Sequence, residues 1–63
     1  MGDKFQRYAA QRWTQDDFDL LTDEEGEILR QRRKHSPPAV ALNLHMSVET
    51  VHRRERSIRN KLG

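Results

Sequence analysis

The sequence predicts an all-α protein, a small three- to four-helix bundle containing a helix-turn-helix in its second half. Three observations lead there. Apolar residues recur at helical spacing in most of the chain. Thr22, Ser36 and Ser47 stand where helix N-caps are needed, each just ahead of such a segment. The residues from Asn43 to Met46 form or flank a tight turn between the last two segments. The 63 residues suffice for one small core, and a chain of that size buries only about 60% of its unfolded surface. No cysteine is available for a disulfide or a cysteine–zinc staple, so helix packing must supply the stability.

Four helical segments follow in order. The first runs from about Lys4 to Trp13, with Phe5, Tyr8, Ala9 and Trp13 on one face. Thr14 and Asp17 are spaced to cap a short turn leading to Phe18 and Leu21. Residues 1–17 are thus read as an amphipathic helix and an acidic linker, and residues 18–63 as the helix-turn-helix domain. The second helix opens on a capping box, Thr22 with Glu25, and its first turn carries Asp23 and Glu24 at the positive end of the helix dipole. Ile28 and Leu29 are its apolar face, and the basic run Arg30 to Lys34 closes it. Gly26 lies inside this helix at a cost of about 1 kcal/mol relative to alanine. The third, short helix has Ser36 as N-cap, Pro37 at its first position, and Val40, Ala41 and Leu44 facing inward. The fourth runs from Ser47 to about Leu62, with Gly63 as its stop. At 100° per residue its Val51, Ile58 and Leu62 form an inward stripe, and Glu49, Arg53, Arg56 and Asn60 lie opposite with His52 at one edge.

The net charge of +2 hides a division. Residues 1–29 carry three Lys and Arg against eight Asp and Glu, or −5, and residues 30–63 carry nine against two, or +7. Such asymmetry points to a polyanion partner for the basic half; the plainer reading is two faces attracting within one fold. Other classes are disfavoured. No run approaches the roughly 18 apolar residues of a membrane span, and no basic-then-apolar leader is present, so a cytoplasmic protein is expected. His35, His45 and His52 lack ligand spacing, and Asp16, Asp17 and Asp19 lack the closing Glu of a calcium loop. No metal and no cofactor are expected. The chain shows no nucleophile–base set and no phosphate loop, which argues against an enzyme.

The stretch Leu44-His45-Met46-Ser47-Val48-Glu49-Thr50-Val51 resembles the turn and recognition-helix start of two related families. They are region 4 of bacterial sigma factors and the DNA-binding domain of LuxR-type response regulators. Leu21-Thr22-Asp23-Glu24-Glu25 with Glu27-Ile28-Leu29 is similar to the LuxR-type opening, while Glu55 fits the primary sigma pattern. Ala41, Leu44, Met46, Ser47, Thr50, Val51, Ile58, Lys61 and Leu62 stand where those families keep small, apolar, capping or basic residues. The resemblance covers about residues 18–63. It implies that the third helix crosses the DNA backbone and the fourth enters the major groove. By analogy with sigma region 4, the base-reading positions fall at Val48, Glu49, His52 and Arg53.

The resulting expectation is a sequence-specific transcription regulator that binds double-stranded DNA. Val48, Glu49, His52, Arg53 and Arg56 would read base edges, since Arg can donate twice to guanine and Glu can accept from cytosine. Arg33, Lys34, Ser36, Ser47, Thr50 and Lys61 would hold phosphates. A homodimer or an RNA polymerase subunit would supply further affinity. The rival expectation is a helix-turn-helix reused to dock on RNA polymerase or another regulator; the DNA-binding part of a transposase or phage protein is a third. Phe5, Tyr8 and Trp13 are read as core cover, with a docking surface as the alternative. Arg54 sits beside the inward stripe and is expected to reach Glu25 or a near neighbour.

Overall fold

Each helix starts where a short polar side chain can hold an amide that lacks an intrahelical partner. The computed structural model describes residues 3–63. Asp3 caps α1 (Lys4–Ala9), its Oδ1 accepting from the Gln6 amide at 3.1 Å. Thr14 and Asp17 form a capping box on α2 (Gln15–Asp19), and Thr22 and Glu25 form another on α3 (Asp23–Arg32). Ser36 stands at the N-cap of α4 (Pro37–Leu44), and its side chain makes no capping bond. Ser47 caps α5 (Val48–Leu62) by accepting from the Thr50 amide. The described residues form an all-helical bundle without strands. It has five helices because the Thr14 cap, with the acids behind it, opens a helix of five residues where a solvated acidic loop was expected.

The first helix is shorter than its apolar pattern predicts. It ends at Ala9, and Trp13 lies beyond it, folded back so that the indole N–H donates to the Tyr8 carbonyl at 3.0 Å. That carbonyl also accepts from the Gln11 amide at 3.3 Å, so the indole adds a second bond at the helix end. The ring remains half-buried, 5.0 Å from Tyr8, and Phe5 and Tyr8 are buried.

Ile28 and Leu29 of α3, Val40 and Ala41 of α4, and Val51 and Ile58 of α5 close one core. Phe5, Tyr8 and Ala9 of α1 belong to that same core, where α1 packs on α3. Leu44, Met46 and Leu62 lean on it from the rim. The turn between α4 and α5 depends on His45, which adopts the left-handed conformation (φ 55°, ψ 47°). The Met46 amide donates to Ala41 at 2.9 Å and the His45 amide to Leu42 at 3.4 Å. These are the paired bonds of a Schellman ending, and Met46 supplies the accompanying apolar contact. No helix of the described residues is long and apolar enough to cross a membrane.

Ionic ties complete the packing. Arg32, of which 1% is exposed, is the largest of the fully buried side chains. Its guanidinium donates to Glu55 Oε2 at 2.6 Å, Asp3 Oδ1 at 2.6 Å and the His35 carbonyl at 2.7 Å, joining α1, α3 and α5. Burial works to lower the Arg32 pKa, and the two carboxylates more than reverse that, so it stands above its ordinary value. Glu25, seven residues earlier on α3, is also buried. Lys61 Nζ donates to it at 2.7 Å, and the Ser57 hydroxyl and Thr22 amide also donate to it. Burial raises its pKa, but these donors and the Lys61 charge prevail and hold it at about 2.

Candidate nucleic-acid interface

Helix α5 is two-sided. Val51, Glu55 and Ile58 are buried, and Glu49, His52, Arg53, Arg56 and Asn60 are exposed on the other side. Helices α4 and α3 both pack against it. Val48 opens the helix with 37% of its surface exposed. All five residues expected at base edges therefore lie on solvent-facing positions of α5. Glu49 and Arg53 form the i,i+4 pair that their spacing predicts, at 3.4 Å and fully in solvent, where such pairs are worth only a few tenths of a kcal/mol.

His52 is held more firmly. Its Nδ1 lies 3.2 Å from Glu55 Oε1, while the other carboxylate oxygen of Glu55 accepts from Arg32. A carboxylate can only accept, so Nδ1 carries the hydrogen. The Nε2 of a neutral ring is then an acceptor, suited to the exocyclic amino group of adenine or cytosine. A chain of contacts, Asp3–Arg32–Glu55–His52, runs from the buried centre to the exposed face.

The residues expected at phosphates are scattered. Arg33 and Lys34 are exposed just past the end of α3. Ser36 and Ser47 are exposed at their helix starts, and the Ser47 hydroxyl is within 2.9 Å of the half-buried Thr50 hydroxyl. Lys61 is committed to Glu25. Arg54 does reach α3, but its partner is Glu24; Glu25 is turned inward to Ser57 and Lys61. The spacing of Glu55 and Arg59 suggests an i,i+4 pair, and none forms. Glu55 belongs to Arg32, and the Arg59 guanidinium lies over the Tyr8 ring at 4.6 Å and Phe5 at 5.6 Å.

Five of the nine cations in residues 30–63 are thus ion-paired: Arg30, Arg32, Arg53, Arg54 and Lys61. Among the described residues Arg33, Lys34, Arg56 and Arg59 have no carboxylate within 4.0 Å. Two depressions meet at Arg56. One is walled by Glu49, His52, Arg53 and Arg56 on α5. The other, of about 530 Å³, lies between α5, α1 and the start of α4, and includes Lys4, Pro37, His52, Arg56 and Arg59 above Arg32. Residue chemistry alone missed Lys4, Arg59 and the Arg32–Glu55 support. The available signals were the i, i+4, i+7 spacing of His52, Arg56 and Arg59, and the core-facing register of Arg32 and Glu55. Compared with family models, with curated proteins and with solved structures, the chain finds no significant match in any of the three.

Proposed function

We propose that the protein is a sequence-specific, non-enzymatic DNA-binding module of a transcription regulator, acting in the cytoplasm, with α5 in the major groove. One observation carries the reading: a fifteen-residue helix, fixed by its apolar side, presents Glu49, His52, Arg53 and Arg56 together on its free side. At 1.5 Å per residue that helix is about 22 Å long, enough to follow the groove across several base pairs. Arg53 and Arg56 supply paired donors for guanine, Glu49 an acceptor for cytosine, and His52 the ring nitrogen Nε2 that Glu55 leaves free. Arg33, Lys34 and the starts of α4 and α5 contribute to backbone contacts. The resemblance to sigma region 4 and LuxR-type domains supports the same use of α5. A second copy or an RNA polymerase subunit would add to the small footprint of one module, roughly 600–1,000 Å².

The experiment is a titration of duplex DNA across salt concentrations. With about four to six phosphates contacted, log affinity against log salt should fall with a slope of roughly −4 to −5. A folded protein whose duplex affinity does not change with salt, or that does not bind at low salt, is incompatible with the proposal. The rival reading, a docking module, is favoured by one observation: Leu42 on α4 is 78% exposed. It calls for salt-insensitive binding to a protein and no affinity for DNA.

A further inference from the structure

We propose that the groove between α1 and α5 holds the phosphodiester backbone of the same duplex, with Lys4 and Arg59 as its donors. The inference rests on the reading of α5 as a major-groove helix and extends the interface to an element outside the helix-turn-helix. Four observations lead to it. First, the groove shares His52 and Arg56 with the depression on the outer face of α5, so the two form one continuous surface. Second, Arg59 continues the row of His52 and Arg56 along α5 and lies furthest of the three from the centre of the exposed face, and such an edge position faces a strand when the centre of the helix faces the bases. Third, the two acids in the wall, Asp3 and Glu55, are both bonded to Arg32. Lys4, Arg32, Arg56 and Arg59 then stand against two carboxylates, a local surplus of +2 with His52 neutral. Fourth, the Arg59 guanidinium lies over the Tyr8 and Phe5 rings, 4.6 and 5.6 Å from their centroids, and no carboxylate among the described residues is within 4.0 Å of it. Its N–H groups are not committed to an acid, and a guanidinium suits phosphate oxygens.

The test measures duplex affinity across salt for the wild type, Lys4→Gln, Arg59→Gln and Arg59→Lys. Circular dichroism confirms the fold of each, and Lys4, exposed and outside the core, is the control for the stacked Arg59. Lys4→Gln and Arg59→Gln are each expected to make the slope shallower by about one. Each should weaken all sequences alike, roughly three- to tenfold near 0.1 M salt. Arg59→Lys should retain the wild-type slope. A wild type of normal slope with Lys4→Gln and Arg59→Gln indistinguishable from it overturns this inference alone. A wild type without salt-dependent binding overturns the reading of α5 as well. Inorganic phosphate, compared with chloride at equal ionic strength, separates the two sources of the group. Displacement of the duplex by both salts alike is expected, and specific displacement by millimolar phosphate would mark a free-phosphate site and overturn the backbone assignment.

Discussion

Arg32 has no intrahelical role, yet it holds three segments of chain together. A charge so buried is tolerated because each of its three nitrogens donates to an acceptor, two of them carboxylates. Removing it takes the closest donor from the buried Glu55 carboxylate and leaves it only the contact with His52, so Arg32→Ala is expected to lower stability by about 3–5 kcal/mol in urea denaturation. Arg32→Met with Glu55→Met should recover most of that loss, because an apolar pair needs no partner. A loss below about 1 kcal/mol for Arg32→Ala would show that water reaches Glu55 freely. Read as a run, Arg30 to Lys34 looks like uniform helix-end charge. Arg32 stands out only by register, four residues after Ile28 and three after Leu29, as Glu55 stands four after Val51. Which partner each would find was not legible, because the pairing spans 23 residues of sequence. Arg54, expected at Glu25 or a near neighbour, is at the neighbour Glu24, because Glu25 is turned inward to Ser57 and Lys61.

At the scale of elements, the starts of α3, α4 and α5 were legible because caps are local chemistry: Thr22, Ser36 and Ser47 announce them within four residues. The end of α1 was not, because the apolar spacing that continues to Trp13 is served as well by a chain that leaves the helix and folds the indole back onto the Tyr8 carbonyl. Gly26 in α3 is an element-scale cost without a structural need. A methyl group there would meet Phe18 at 3.5 Å, ordinary contact. Gly26→Ala should therefore stabilise by about 0.5–1 kcal/mol, raising the melting temperature by roughly 2–8 °C; a lower melting temperature would show that Phe18 cannot accommodate the contact. For α5 the periodicity revealed the exposed stripe, but not which cations in it remain unpaired. Arg53→Ala and Glu49→Ala should each relax base preference by about 1–3 kcal/mol at one position without changing the fold. Selection from a random duplex pool reads this directly, and an equal loss on every sequence would make Arg53 a phosphate contact instead.

The whole molecule depends on carboxylates that span helices: Glu25 joins α3 to α5, and Asp3 joins α1 to α3 through Arg32. The hydrogen bond from Arg32 holds the Asp3 carboxyl below its ordinary value, against the effect of burial, and Glu25 is held at about 2. Both acids release their protons more readily in the folded chain than in the unfolded one. Their stabilisation is therefore complete above the ordinary carboxylate range, and it fades as pH falls from about 4.5 toward 2. The urea midpoint is expected to drop clearly between pH 6 and pH 3, and Glu25→Gln should flatten that dependence. An unchanged midpoint would mean that Lys61 and Ser57 do not hold Glu25 in solution. The charge division between the halves is thus partly used within the fold: Arg30, Arg32, Arg54 and Lys61 answer acids of the first half, while Arg33, Lys34, Arg56 and Arg59 have no carboxylate within 4.0 Å among the described residues. The aromatic seat of α1 adds an optical consequence. Trp13 is the sole tryptophan of the sequence, and its indole is bonded to Tyr8, beneath whose ring-stacked Arg59 the duplex backbone would pass. The intrinsic emission of the unlabelled protein should therefore report the seating of the first helix, and its shift on adding duplex would time the arrival of the backbone at that end of the molecule.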